Sequence, residues 1–163
     1  MEKSIAQAEV IVNLPRAEVW SRLRDLSCPH KYVPGLRDCR MTTDKKEGVG
    51  ASRRVYTTSG MEMDETVVEW NEGQGFVIRL HDGNKPPPPI FTEARFHYLL
   101  EDAPGGKTRF QPTMTYTLKF GILGVLLDRL LINMIVRSNM KKVGAGFQQF
   151  YESGKPSNPA YKA

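Results

Sequence analysis

Cysteine and histidine are both scarce in this chain, with two and three residues among 163. Cys28 and Cys39 have neither the spacing of a metal-ligand pair nor a histidine pair that would complete a zinc site. The sequence also has no nucleophile elbow, no phosphate-cradling glycine loop and no dinucleotide-binding fingerprint. These absences argue against a zinc centre and against dinucleotide-dependent chemistry, so we expect neither a metal nor a cofactor.

Long apolar runs are missing as well. The N-terminal residues MEKSIAQAEV lack the continuous apolar segment of a secretory signal, so a cytoplasmic protein with free thiols is expected. The most apolar stretch, Ile122–Val136, is shorter than a bilayer span requires and is interrupted by Asp128 and Arg129. It therefore predicts a core helix and not a membrane span.

Positive charge is present but dispersed. The formal net charge is +5, yet the basic residues cluster only as pairs, at Lys45-Lys46, Arg53-Arg54 and Lys141-Lys142. Nucleic-acid sites usually show longer basic stretches with interleaved aromatic residues. This distribution indicates a solvated basic surface, and we expect no nucleic-acid partner.

Alternating apolar and polar residues predict a sheet of about seven strands. Residues 1–152 are expected to form one domain, followed by a flexible tail at 153–163. Pro112, inside the last strand, predicts an edge or a bulge there. The predicted strands are Ser4–Leu14, Leu36–Asp44, Ala51–Ser59, Glu62–Trp70, Phe76–His81, Ile90–Glu101 and Thr108–Phe120.

Helical periodicity appears twice at length. A short amphipathic helix lies within Asn13–Leu26, and a long apolar helix spans Leu123–Tyr151, where Gly144 and Gly146 predict a kink or close packing. A short helix or turn is expected at His30–Gly35. This order predicts an α+β fold in which a curved antiparallel sheet (β-α-α-β6-α) wraps around the long C-terminal helix and encloses a cavity.

Several short segments, in this order and spacing, resemble the polyketide cyclase/dehydrase and lipid-transport branch of the START-like (SRPBCC) superfamily. They are Val10-Ile11-Val12 before Pro15, Tyr32-Val33-Pro34, Gly48-Val49-Gly50-Ala51, Glu65-Thr66-Val67 and Gly106-Lys107-Thr108-Arg109-Phe110. The resemblance implies the helix-grip fold of the plant pollen allergens. It further implies a hydrophobic pocket between sheet and long helix, with its mouth at the loops Thr58–Met61 and Gly83–Pro89.

Two charged residues are candidates for chemistry in that pocket, and both are weak candidates for catalysis. The resemblance implies that Arg53 points inward to anchor a ligand carboxylate; alternatively it pairs with Glu65 or reaches solvent. Glu65 faces the cavity by the same resemblance, where burial would raise its pKa and suit it to acid or base work. Its acidic neighbours instead suggest a solvated strand, and the facing of that strand stays open.

The other candidates are aromatic and apolar. Tyr56, Tyr98 and Tyr116 can offer phenol donors to a ligand or serve as core aromatics. Periodicity does not separate a cavity lining from a plain core, so both interpretations stand for the rest. The full predicted ligand-binding set is Arg53, Val55, Glu65, Phe76, Ile78, Phe96, Tyr98, Met114, Tyr116, Leu127, Leu130 and Met134.

Three functions follow as hypotheses. The first is a carrier or sensor of a hydrophobic small molecule, such as a lipid, a quinone or a polyketide-like aromatic. The second is a cyclase, aromatase or dehydratase in which Arg53 or a tyrosine polarises a carbonyl and Glu65 or water moves the proton. The third is a protein-interaction module.

The long helix adds a prediction about partners. Val125, Ile132, Ile135 and Val136 are apolar but lie off its main stripe. A helix that is apolar nearly all round is buried or meets a partner, so peripheral membrane contact or a homodimer through this helix is expected.

Overall fold

An antiparallel sheet is the largest element of the computed structural model, which describes residues 3–85, 87, 90–119 and 121–162, without the side chains of Ile122, Val125, Arg129 and Leu130. The sheet has eight strands in the order β1-β8-β7-β6-β5-β4-β3, and β2 also pairs with β8. The strands are β1 (Ser4–Gln7), β2 (Val10–Val12), β3 (Leu36–Met41), β4 (Ser52–Thr57), β5 (Glu62–Asn71), β6 (Gly75–His81), β7 (Phe91–Ala103) and β8 (Lys107–Leu118).

The predicted first strand is divided in two opposite Pro112. The register is the same on both sides of the break, with Gln7 opposite Thr113 and Val10 opposite Phe110. Ala8 donates its N–H to the Pro112 carbonyl at 3.1 Å, but proline has no N–H to return. The prediction of an edge or bulge is therefore wrong, because β8 lies inside the sheet and the missing donor interrupts its partner strand.

The helices lie where periodicity predicts them, but the long helix is not uniform. Helix α1 spans Arg16–Leu23, and a 3-10 turn follows at Pro29–Lys31. The C-terminal helix consists of α2 (Gly121–Leu127), a π-helical segment at Asp128–Ile132 and α3 (Asn133–Ser153). No helix in the described part of the chain combines the length and apolar character needed to cross a membrane.

Aromatic stacking joins the C-terminal half of α3 to the sheet. The ring centroids of Phe110 and Phe147 lie 3.9 Å apart, and those of Phe147 and Tyr151 lie 4.0 Å apart. Tyr32, which follows the 3-10 turn, packs edge-on against Phe147 and stacks on Phe150. This cluster closes one end of the space between helix and sheet.

Helix α3 covers only part of the inner sheet face. Its main contacts with the sheet are to β1, β2 and β8. Met41 on β3, Met63 on β5 and Phe96 on β7 point to the same inner face and remain half-buried. Met63 and Phe96 lie on interior strands with a neighbour on each side, so their residual exposure indicates free space above the sheet beside α3.

Part of the segment predicted as a flexible tail, 153–163, is hydrogen-bonded to the rest of the domain. Asn158 is buried, and its side-chain amide donates to the carbonyls of His30 at 2.7 Å and Leu36 at 2.6 Å. Its backbone N–H donates to the Lys31 carbonyl at 3.0 Å. A single asparagine thus satisfies three backbone carbonyls and holds this segment against the domain.

The two helix glycines give a matched test of this packing. A Cβ added at Gly146 would lie 2.3 Å from the Tyr32 carbonyl oxygen, whereas one at Gly144 would meet nothing closer than Val10 Cγ1 at 3.5 Å. We expect Gly146→Ala to lower the free energy of unfolding by about 1–3 kcal/mol through overpacking. Gly144→Ala should be neutral, or stabilising by up to about 1 kcal/mol because alanine is the better helix former. Urea unfolding of both variants checks this, and equal destabilisation would contradict it.

Candidate ligand-binding site

A buried ion pair lies on the inner face of the sheet. Arg53 on β4 and Glu65 on β5 are direct cross-strand partners. Arg53 Nε donates to Glu65 Oε2 at 2.6 Å, and the two residues are only 3% and 8% exposed. The structure therefore settles the facing of this strand: Glu65 points inward, and the predicted pairing with Arg53 is the one observed.

The rest of the Arg53 guanidinium reaches towards two tyrosines. Nη1 donates to the Leu26 carbonyl at 2.7 Å, and Nη2 lies 3.4 Å from the Tyr98 hydroxyl. The phenol groups of Tyr32 and Tyr98 also interact with each other. Leu26, Arg53 and the two phenols thus form one connected polar group at the closed, aromatic end of the inner face.

The protonation of this group follows from its burial. Burial by itself lowers the pKa of Arg53, but the Glu65 carboxylate and the neighbouring phenols raise it above its ordinary value, so the guanidinium stays charged. Burial raises the pKa of Tyr98 and, more strongly, that of Tyr32. At neutral pH the site therefore presents a fixed cation and protonated phenols.

Beside the polar group the inner face is apolar. Phe96 and Met114 are cross-strand partners on β7 and β8, and both remain half-buried. The Phe96 ring lies 4.6 Å from that of Tyr98, so the apolar surface is continuous with the phenols. An apolar surface that ends in a few converging donors is the usual composition of a small-molecule site.

A second polar group occupies the π-helical segment. Asp128 is buried, and its carboxylate accepts from the Tyr116 hydroxyl at 2.6 Å and from the Ser4 hydroxyl. Asn133 Nδ2 lies 3.2 Å from the Tyr116 hydroxyl and donates to the Ile5 carbonyl at 2.9 Å. Burial, and secondly the hydrogen bond to Asp128, raise the pKa of Tyr116. These bonds fasten the start of α3 to β1 and β8.

Sequence reasoning missed the role of Asp128. The residue was visible as a charge within an apolar run, which is a signal for a buried, hydrogen-bonded carboxylate. Its inward direction depends on the π-helical turn, which periodicity does not reveal. Tyr32 was also missed as a site residue, although it lies in one of the motifs that carry the resemblance.

The structure brings most of the predicted set together. Val55, Phe76, Ile78, Tyr98 and Tyr116 are buried, and each of their side chains belongs to the inner side of the sheet. Tyr56 instead lies on the outer side, where the guanidinium groups of Arg37 and Arg40 stack on its ring. It is therefore not a donor to this site.

Two predicted lining residues on the helix are largely exposed. Leu127 is 46% exposed and Met134 is 64% exposed. Met134 precedes the buried Val136 by two residues, which places it about 200° around the helix. The apolar stripe through Leu127 and Met134 is therefore exposed, and the buried residues of α3 lie on a different side of the helix. The side chain of Leu130 lies outside the described part of the chain.

The predicted mouth loops are described in part. Thr58–Met61 forms an exposed turn between β4 and β5. In the other loop, Gly83–Lys85 and Pro87 are described, while residues 86, 88 and 89 lie outside the described ranges. The role of these loops as a mouth stays a prediction.

Other features of the described residues do not form part of this site. Three open hollows of about 250, 480 and 380 Å³ are lined chiefly by residues of the outer sheet face, the tail and the β6–β7 edge. Within the described ranges, no group of three or more histidine, cysteine or acidic residues is placed to hold a metal ion.

Comparison with known proteins gives the family. The model of the family "Polyketide cyclase / dehydrase and lipid transport" matches residues 5–149. The chain therefore belongs to the polyketide cyclase/dehydrase and lipid transport family. Comparison with curated protein sequences gives no match.

Solved structures share the fold at low sequence identity. Ara h 8.0201 is 13% identical with a TM-score of 0.67, over 93% of this chain and 99% of that one. TTHA0849 from Thermus thermophilus is 19% identical with a TM-score of 0.66, over 93% and 99%. The di-domain ARO/CYC BexL from the BE-7585A biosynthetic pathway is 14% identical with a TM-score of 0.70, over 92% of this chain and 50% of that one. These likenesses confirm the predicted helix-grip fold.

The buried ion pair makes a direct prediction about stability. Arg53→Met leaves Glu65 buried without its partner, so we expect a loss of about 3–5 kcal/mol in the free energy of unfolding. The double variant Arg53→Met/Glu65→Leu removes both charges and should recover most of that loss, because apolar residues of similar volume can replace a buried pair. Urea unfolding of the two single variants and the double variant measures the coupling. Additive losses would contradict the pairing.

Proposed function

We propose that this protein binds a hydrophobic small molecule on the inner sheet face beside α3, as a carrier or sensor. Membership of the polyketide cyclase/dehydrase and lipid transport family supports this class of function. The cytoplasmic location predicted from the sequence belongs to the same proposal, and the free thiols of Cys28 and Cys39 fit a reducing compartment.

One observation carries the proposal. Phe96 and Met114 lie on interior strands of the sheet, opposite each other, and still retain exposed surface. Large apolar side chains at the centre of a sheet are normally covered completely, because burial of apolar surface stabilises the fold by about 25 cal/mol per Å². The uncovered surface therefore favours an apolar guest that completes the burial.

The polar end of the site narrows the chemistry of that guest. Arg53 is held by Glu65 and by the Leu26 carbonyl, while its contact with the Tyr98 hydroxyl is long at 3.4 Å. A carbonyl, hydroxyl or carboxylate oxygen entering here would meet a guanidinium N–H and a phenol O–H. The proposed ligand is therefore a largely apolar molecule with one oxygen-bearing end, which fits a lipid, a quinone or a polyketide-like aromatic.

Blocking the apolar surface tests the proposal. Met114→Trp places an indole in the proposed space and should weaken binding of the neutral fluorophore N-phenyl-1-naphthylamine at least tenfold, since the ring occupies the volume of the ligand. Leu99→Trp adds the same ring to the outer face of β7, where Leu99 is exposed, and should leave the affinity unchanged. Fluorescence titration measures both. Equal affinities in the two variants would contradict the site.

The same fluorophore identifies the ligand class by competition. Displacement by oleate but not by the anthraquinone emodin would favour a lipid, and the reverse would favour a polycyclic aromatic. Failure of the unmodified protein to bind the fluorophore or either competitor at micromolar concentration would overturn the proposal.

A second candidate function is a cyclase, aromatase or dehydratase acting in the same place. The observation that favours it is the pair of donors from Arg53 and Tyr98, which could polarise a ketone together. Two structural neighbours come from biosynthetic systems, which supports this direction. They are BexL and DynU16, a putative protein in the dynemicin biosynthetic locus that is 18% identical with a TM-score of 0.66 over 97% of this chain and 51% of that one. It ranks second because Glu65 already neutralises the Arg53 charge.

Turnover separates the two candidates. Under the carrier proposal, a poly-β-ketone thioester analogue incubated with the protein is recovered unchanged, apart from the background reaction seen without protein. Liquid chromatography with mass spectrometry measures this. Formation of a cyclised or dehydrated product would instead establish that the protein is an enzyme, provided that Tyr98→Phe slows the reaction and the outer-face variant Tyr56→Phe does not.

A further inference from the structure

The C-terminal helix leaves a set of large apolar side chains uncovered. We call this set the outer helix patch: Leu123, Leu126, Leu127, Leu131, Met134 and Ile135. Leu123 is 76% exposed and the least exposed member, Leu131, is still 45% exposed. Single exposed apolar residues are ordinary, but six within 13 residues of one helix mark an interaction surface.

The fold itself directs these side chains outward. Within the π-helical segment Asp128 is buried and bonded to Tyr116 and Ser4, so this polar side chain faces the protein. Its leucine neighbours Leu127 and Leu131 are exposed as a result. This arrangement, with a buried carboxylate and exposed leucines, is the reverse of the usual pattern on a helix whose outer face contacts water.

The same helix face continues into basic residues. Lys141 follows Met134 by seven residues and Lys142 follows Ile135 by seven, about two turns in each case, so each lysine lies on the side of its apolar counterpart. Arg137, Lys141 and Lys142 are exposed, and among the described residues no carboxylate lies within ion-pair distance of them.

The helix itself contributes no exposed acidic group to this surface. Asp128 is the single acidic residue between positions 121 and 151 of the sequence, and it is buried. A helix that presents an apolar strip, adjoining cations and no exposed carboxylate of its own is complementary to an anionic phospholipid bilayer. The apolar side chains can enter the boundary of the acyl region while the cations meet phosphate groups.

A second copy of the chain fits this surface less well. A two-fold dimer pairs the same patch on both subunits, which brings two sets of like charges to one interface without carboxylates to balance them. We therefore propose that the outer helix patch and its three cations dock this protein onto an anionic phospholipid bilayer. This proposal does not require that the inner-face ligand site be correct.

Vesicle co-sedimentation tests the proposal. The unmodified protein should sediment with vesicles of phosphatidylcholine and phosphatidylserine, bind vesicles of phosphatidylcholine alone at least tenfold more weakly, and dissociate as salt is raised. The variant Leu126→Ser/Met134→Ser removes two exposed apolar side chains and should reduce binding to the anionic vesicles at least tenfold. The control Val49→Ser/Leu99→Ser removes two exposed apolar residues elsewhere and should bind normally.

The cations have a control of equal net charge. The variant Arg137→Gln/Lys141→Gln/Lys142→Gln should weaken binding about a hundredfold, at about fivefold per cation. The variant Lys107→Gln/Lys155→Gln/Lys162→Gln removes three exposed lysines from other surfaces and should weaken it far less.

Three results would overturn the proposal. The first is no binding to the anionic vesicles, and the second is an equal loss in the patch variants and their controls. The third is a concentration-dependent dimer, or a stable complex with another protein, that the patch variants abolish while vesicle binding is unchanged. Because ligand binding by the inner face is measured separately with the neutral fluorophore, failure here leaves that function standing.

Discussion

The incomplete cover that α3 gives to the sheet is the constraint on which the rest of the structure depends. The helix packs on β1, β2 and β8 and is locked at its C-terminal end by the stack of Phe110, Phe147 and Tyr151. The inner side chains of the remaining strands therefore have to be covered by something else. A buried ion pair and two phenols occupy part of this inner face, and the rest remains an uncovered apolar surface.

The two buried carboxylates have different consequences because their partners differ. Glu65 faces a guanidinium, so the pair is costly to break but leaves the inner face electrically balanced and able to accept a neutral or weakly polar guest. Asp128 has hydroxyl donors instead, and these fasten the π-helical segment to the sheet. Because that carboxylate is held in the interior, the adjoining leucines are exposed to solvent. The inner site and the outer helix patch therefore both depend on polar residues buried inside the fold.

Much of the fold could be predicted from the sequence, because alternation along β7 and β8 and the helical spacing of Val143 and Phe147 are local patterns. The family resemblance implied an inward facing for both Arg53 and Glu65, but the acidic neighbours of Glu65 left its facing open. The register of β4 with β5, which is not a local pattern, was needed to decide it. Leu127 and Met134 were predicted to line the cavity but are largely exposed, because helical spacing identifies an apolar stripe without showing which side of the helix meets the sheet. Asn158 escaped prediction because its partners are backbone carbonyls more than a hundred residues away.

The methionine methyl groups offer the most direct measurement of the central claim, that free apolar space lies on the inner face beside α3. Met41, Met63 and Met114 point into that space, Met61 and Met134 are exposed elsewhere, and Met140 is buried in the core. In carbon-13 methyl spectra, saturation with a bound hydrophobic ligand should shift the signals of Met63 and Met114 and leave those of Met61 and Met134 in place. Shifts confined to Met134, with Met63 and Met114 unchanged, would contradict the account.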